Sequence, residues 1–121
     1  MESVKILDIA ANALNEKKAA NLAALKVDDL TVLTECFLLA TATSSTHVRA
    51  LANEVEFKLS EQGVEPHHIE GKSTGWVLLD YGSVIVHVFS KEAREFYNLD
   101  KMWADGTVID LDSILVSEQE K

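Results

Sequence analysis

Apolar residues at Val4, Leu7, Ala11 and Leu14 recur at three- and four-residue steps, which gathers them on one face of a helix running from Val4 to about Lys17. Ser3 stands just before the first of them, where it would cap the helix. The pattern then changes. Leu22 to Val27 and Thr34 to Thr41 read as strands on either side of the turn-like Asp28-Asp29, and the second run is apolar on both faces, as a central strand should be. Ser44 and Ser45 offer caps to a second helix whose inward stripe is Val48, Leu51, Ala52, Val55 and Leu59. Arg49, Asn53, Glu54, Glu56 and Lys58 fall mostly on its wet side, and Gly63 supplies the stop.

Pro66 opens a short strand, His67 to Glu70, and beyond Gly71 to Gly75 lies the clearest pattern of the chain, Trp76 to Phe89. It predicts a β-hairpin turning on Gly82-Ser83, a two-residue loop that needs glycine first. The turn sets the register: Tyr81 faces Val84, Asp80 faces Ile85, Leu78 faces His87 and Trp76 faces Phe89. One hairpin face then carries Val77, Leu79, Tyr81, Val84, Val86 and Val88, an aliphatic surface suited to packing under a helix. The other carries Trp76, Leu78, Asp80, Ile85, His87 and Phe89. A last helix is expected from Lys91 to about Met102, ending near Trp103, after which Ala104 to Lys121 alternates apolar and acidic residues. The order predicts one α/β (α+β) domain, a five-stranded mixed sheet flanked by helices, over residues 1–103, with a C-terminal acidic tail over 104–121.

Composition narrows the field. With 121 residues, 47% of them hydrophobic, the chain fits one domain, since domains cluster at roughly 100–150 residues, and it is too apolar for disorder. The 11 Lys+Arg against 20 Asp+Glu give a net charge of −9, which opposes binding to free nucleic acid and favours a basic protein surface as partner. Cys36, the single cysteine, lies in an apolar run, as a small buried hydrophobe in a reducing compartment would. No stretch approaches the ~20 apolar residues of a membrane span, and the first residues lack the features of a secretory signal. A cytoplasmic protein is expected.

Catalytic chemistry finds little foothold. Ser44 or Ser45 with His47 is the local nucleophile-and-base candidate, but the serines are better explained as helix caps. His67 and His68 would point to opposite faces of a strand, and no HExxH, CxxC, P-loop or GxGxxG occurs. No metal, cofactor or catalytic residue is therefore expected. The passage from Ala40 to Val48, strand to Thr-Ser-Ser to helix, has the shape of a loop that holds a phosphate. Paired carboxylates for Mg²⁺ are missing from Cys36-Phe37-Leu38-Leu39, and Asp28-Asp29 read as a solvated turn. Asp80 and His87 are diagonal neighbours on an apolar face, so they either satisfy each other or a turn, or they are fixed polar points of a binding surface. Arg94, Tyr97, Leu99, Met102 and Trp103 add large side chains nearby, which favours one surface shared by the hairpin and the last helix. A homodimer could bury the same surface.

Thr41-Ala42-Thr43-Ser44-Ser45-Thr46-His47-Val48, Ile69-Glu70-Gly71, the Trp76 to Phe89 hairpin, and Arg94, Tyr97, Leu99 and Trp103 together resemble the ribosomal silencing factor family, related to Iojap, from the first helix to about Trp103. The resemblance implies a nucleotidyltransferase-like fold that has lost its catalytic carboxylates. It also implies a regulator that binds the large ribosomal subunit through ribosomal protein fourteen, blocks joining with the small subunit and lowers translation when nutrients are scarce. Carried over by position, the partner-facing residues would be Trp76, Asp80, His87, Arg94, Tyr97, Leu99, Met102 and Trp103. Family members often have Asp where this chain has Glu35 and Ser83. The rival reading is a residual nucleotide-binding or nucleotidyltransferase domain using Ser44, Ser45 and the helix start.

Overall fold

In the computed structural model, which describes residues 2–71 and 75–115, the chain runs α1 (Ser3–Glu16), β1 (Ala20–Lys26), β2 (Cys36–Ala42), α2 (Ser45–Glu61), β3 (His68–Glu70), β4 (Trp76–Asp80) and β5 (Val84–Ser90). Two short helices, α3 (Lys91–Tyr97) and α4 (Leu99–Met102), precede β6 (Thr107–Ile109) and a 3-10 turn at Leu111–Ser113. The strands form one sheet in the order β3-β4-β5-β2-β1-β6. Only β2 and β5 are parallel; every other neighbouring pair is antiparallel.

The mixed α/β architecture agrees with the sequence pattern, with a correction of the strand count: the sheet has six strands, not five. The sixth, β6, lies in the segment read as tail and pairs with the outer edge of β1, Leu25 opposite Val108. Three residues carry too little alternation to announce a strand, and it is the edge of β1 that gives them hydrogen-bonding partners. The last helix is likewise corrected. Asn98 adopts the left-handed conformation, φ +49°, and divides it into α3 and α4. Asparagine tolerates that region better than most residues. Ser3 is not a cap but the first residue of α1; Glu2 holds the cap position without a side-chain bond, and its carbonyl accepts from Lys5 and Ile6.

The hairpin register is as the turn dictates, with Trp76 opposite Phe89, Leu78 opposite His87 and Asp80 opposite Ile85. Gly82 has φ +83°, so the position favours glycine for its conformation, and a Cβ there would push aside the exposed His67 ring, 2.9 Å away. β2 is buried along its whole length, as the central strand of such a sheet must be. Period-two alternation gives the sheet two distinct faces. On the first, Leu38, Ala40, Val77, Leu79, Val84, Val86 and Val88 pack against Leu7, Ala10 and Leu14 of α1 and Val48, Leu51, Val55 and Leu59 of α2. On the second, Leu25, Phe37, Leu39 and Phe89 pack with Val27 and Leu99, joined by Trp76, Ala93 and Trp103. Among the described residues that second face is covered by the short α3–α4 segment.

Candidate functional site

The second face builds an aromatic shelf. Trp76 on β4 stacks on Phe89 of β5 with ring centroids 5.2 Å apart, and Tyr97 of α3 closes on it at 4.5 Å. Phe96 meets Tyr97 edge-on at 5.1 Å, and Trp103 meets Phe37 in the same way at 5.0 Å. The shelf grades outward: Phe89 is buried, Trp76 and Trp103 are half-buried, and Phe96 and Met102 are 81% and 69% exposed. Large apolar side chains this exposed, set on a rigid floor, are what a protein interface presents before its partner arrives.

His87 lies beneath the shelf, 4% exposed, and its Nδ1 accepts a hydrogen bond from the Trp76 indole N–H at 3.1 Å. Its proton therefore resides on Nε2, which has no partner among the described residues. Burial drives its pKa down from the usual 6.5 to about 4, so it is neutral at physiological pH. Its function here is to hold an indole in place. Asp80 and His87 consequently find separate partners: Asp80 accepts from the Gly82 N–H at 2.7 Å, fastening the hairpin turn, and lies 3.5 Å from Nδ1 of His68.

Arg94 is turned inward. Its Nε and Nη2 grip both oxygens of Asp100 at 3.1 and 2.8 Å, and its Nη1 donates to the Thr41 hydroxyl at 3.0 Å and to the Asn21 carbonyl. One guanidinium thus ties α3 to α4 across the Asn98 break and ties both to β1 and β2. The hydrogen bond from Arg94 holds the Asp100 carboxyl below its usual pKa range. Of the residues singled out from the sequence, Trp76, Tyr97 and Trp103 belong to the shelf, His87, Leu99 and Arg94 support it from within, Met102 is exposed at the end of α4, and Asp80 lies at the hairpin turn. Phe96 was passed over. Its signal was an aromatic beside Tyr97 on a segment too short to bury both.

Ser44, His47 and Cys36 are engaged in structure. Ser44 accepts from the His47 N–H at 3.0 Å as the cap of α2. His47 Nδ1 accepts from the Thr43 N–H at 2.9 Å while Nε2 donates to the Lys17 carbonyl at 2.7 Å, joining the end of α1 to the start of α2. Burial, followed by the charges of Glu35 and Asp28, pushes the Cys36 thiol up to about 11 and keeps it protonated. Among the described residues no group of three His, Cys, Asp or Glu converges to hold a metal ion, and no helix is long and apolar enough to cross a membrane.

Comparison with known proteins places these features in a family. The family model described as ribosomal silencing factor during starvation matches residues 1–121. The chain is 36% identical over 116 residues to the ribosomal silencing factor of Halalkalibacterium halodurans, an alignment covering 95% of this chain and 99% of the relative. To the ribosomal silencing factor of Bacillus subtilis it is 38% identical over 113 residues, covering 93% and 96% of the two chains. A crystal structure of a Chromobacterium violaceum protein superposes with a TM-score of 0.83 at 37% identity, covering 86% of this chain and 88% of that one.

Proposed function

The chain belongs to the ribosomal silencing factor family, and on that premise we propose that it represses translation under nutrient limitation by occupying the large ribosomal subunit and sterically excluding the small one. The contact is made through ribosomal protein fourteen of the large subunit, and the aromatic shelf is the surface that makes it. The observation that carries this reading is the exposure of Phe96 and Tyr97 beside a tryptophan already fixed in place, with Met102 exposed on the following helix. Anchors held before binding lose little side-chain freedom on association.

No reaction is required. A bound factor excludes the other subunit by occupancy, and inhibition follows its concentration relative to its dissociation constant. We read the fold as a nucleotidyltransferase-like domain without its catalytic carboxylates, a reading supported by β2, which carries no acid between Cys36 and Ala42. A net charge of −9 suits a partner that presents a basic protein patch, because complementary charge speeds encounter and discourages adhesion to bare RNA. The site of action is the cytoplasm, where subunits join.

The test is sedimentation of the purified protein with isolated large subunits, followed by addition of small subunits. Co-sedimentation and a loss of whole ribosomes are expected, both weakening as salt rises. Phe96→Asp with Met102→Asp should abolish both effects while the melting temperature stays within a few degrees. Co-sedimentation without any loss of joining would defeat the silencing reading, and an unimpaired double variant would remove the shelf from the interface.

A further inference from the structure

The sheet contains one junction unlike the others. β2 and β5 are adjacent and parallel, pairing up to Ala42 opposite Ser90, so their carboxyl ends lie side by side. From there the chain leaves in opposite directions: after β2 it enters α2 on the first face, and after β5 it enters α3 on the second. Two connections diverging from neighbouring strand ends leave a crevice that neither helix fills, which is where open α/β sheets take small ligands. A cavity of about 780 Å³ occupies this position.

Its lining inverts the sign of the molecule. Two cations, Arg49 and Lys91, face one carboxylate, Glu92, in a chain whose net charge is −9. Among the described residues neither Arg49 nor Lys91 makes an ion pair or a side-chain hydrogen bond. Elsewhere the inward-turned cation Arg94 is spoken for by Asp100. Ser45 and Ser90 line the same wall, and the Ser90 hydroxyl, which accepts from the Ala93 N–H as the cap of α3, keeps its own proton to donate. Unpaired cations and hydroxyl donors around a concave space are the groups that hold phosphate oxygens.

We propose that this crevice is a binding site for a phosphate-bearing small molecule of nucleotide size, with Arg49 and Lys91 as its charged ligands and the Ser45 and Ser90 hydroxyls completing the cradle. The volume lies within the roughly 300–1,000 Å³ of small-molecule sites. The site binds and does not transfer, because among the described residues Glu92 is its sole carboxylate and no pair lines it to hold Mg²⁺ against a triphosphate. It is independent of the ribosome-binding surface in its chemistry, although Gly75, Ser90 and Glu92 border both the crevice and the shelf.

Calorimetry and amide NMR of the full chain with pyrophosphate, ATP and adenosine, in EDTA at constant ionic strength, test this. Saturable one-to-one binding of ATP and pyrophosphate is expected, with adenosine at least about tenfold weaker and the shifted amides concentrated at residues 43–45 and 90–92. Arg49→Ala with Lys91→Ala, both exposed positions, should weaken both phosphates at least about tenfold with the melting curve unchanged. Absence of saturable binding up to about 10 mM would overturn the proposal. Equal affinity for adenosine, or full binding by the folded double variant, would overturn it as well.

Discussion

His87 makes the stability of the fold sensitive to mild acid in a way that one substitution isolates. In the unfolded chain its imidazole titrates near 6.5, and in the folded protein burial among Phe37, Trp76 and Phe89 lowers that to about 4. Between these values the unfolded state takes up a proton that the folded state refuses. The stability contribution is therefore intact above pH 6.5, declines as the pH falls from 6.5 towards 4, and is flat below. The whole gap is worth about 3 kcal/mol, and about 2 kcal/mol of it is lost between pH 7 and pH 5. His87→Gln keeps an oxygen to accept the Trp76 indole N–H but cannot titrate. Urea unfolding of both proteins at pH 7 and pH 5 gives the comparison. For a chain of this size the urea slope is roughly 1–3 kcal/mol per molar, so the wild-type midpoint should fall by about 1 M more than that of the variant. The carboxylates titrate alike in both proteins and cancel. Parallel losses in the two would refute the assignment of His87 as a neutral buried acceptor.

Arg94→Lys keeps the charge but cannot reach Asp100, Thr41 and Asn21 together, so it should lose roughly 1–3 kcal/mol in thermal or urea unfolding. Arg94→Ala should let the Asp100 carboxyl titrate back up towards the ordinary carboxylate range by NMR, because the hydrogen bond from Arg94 is the main cause holding it down. Ser44→Ala removes the cap of α2 and should cost about 1 kcal/mol, while Ser44→Asp, which restores an acceptor at the same place, should recover most of it. A loss of equal size in the Asp variant would mean that the serine acts through some contact other than the cap.

What was legible in the sequence was whatever a local rule dictates. The hairpin could be placed residue by residue because Gly82 fixes the turn and strict alternation from Trp76 to Phe89 leaves no second register that keeps the aliphatic face inside. The buried stripe of α2 followed from helical spacing, and Gly63 ended it with positive φ. What escaped depends on partners remote along the chain. Arg94 meets Asn21, 73 residues away, so nothing near it announces a clamp rather than an exposed interface cation. β6 exists because β1 has a free edge, and the crevice exists because strand order sets Ala42 beside Ser90. Asn98 alone left a trace: an asparagine between two helical stretches is a position where the left-handed region is affordable.

The two sheet faces separate folding from recognition, and His87 is where they meet. The first face holds the domain together with aliphatic contacts to α1 and α2. On the second face the contacts that orient Trp76 include the Phe89 ring below it, the Tyr97 ring beside it and a polar point, the bond to His87 Nδ1. Replacing His87 with leucine removes that point while keeping an apolar filling, and the half-buried indole N–H turns to water. Folding at pH 7 should then change by about 1 kcal/mol or less, since a lost neutral hydrogen bond with solvent as substitute costs little. Recognition should suffer more, because the partner must now order the indole as it binds, at about 0.5–1.5 kcal/mol for a released side chain. The expected result is a large-subunit dissociation constant about three- to tenfold higher for His87→Leu and unchanged for His87→Gln. If the leucine variant binds as the wild type does, Trp76 either is not an anchor or is held by its ring contacts alone.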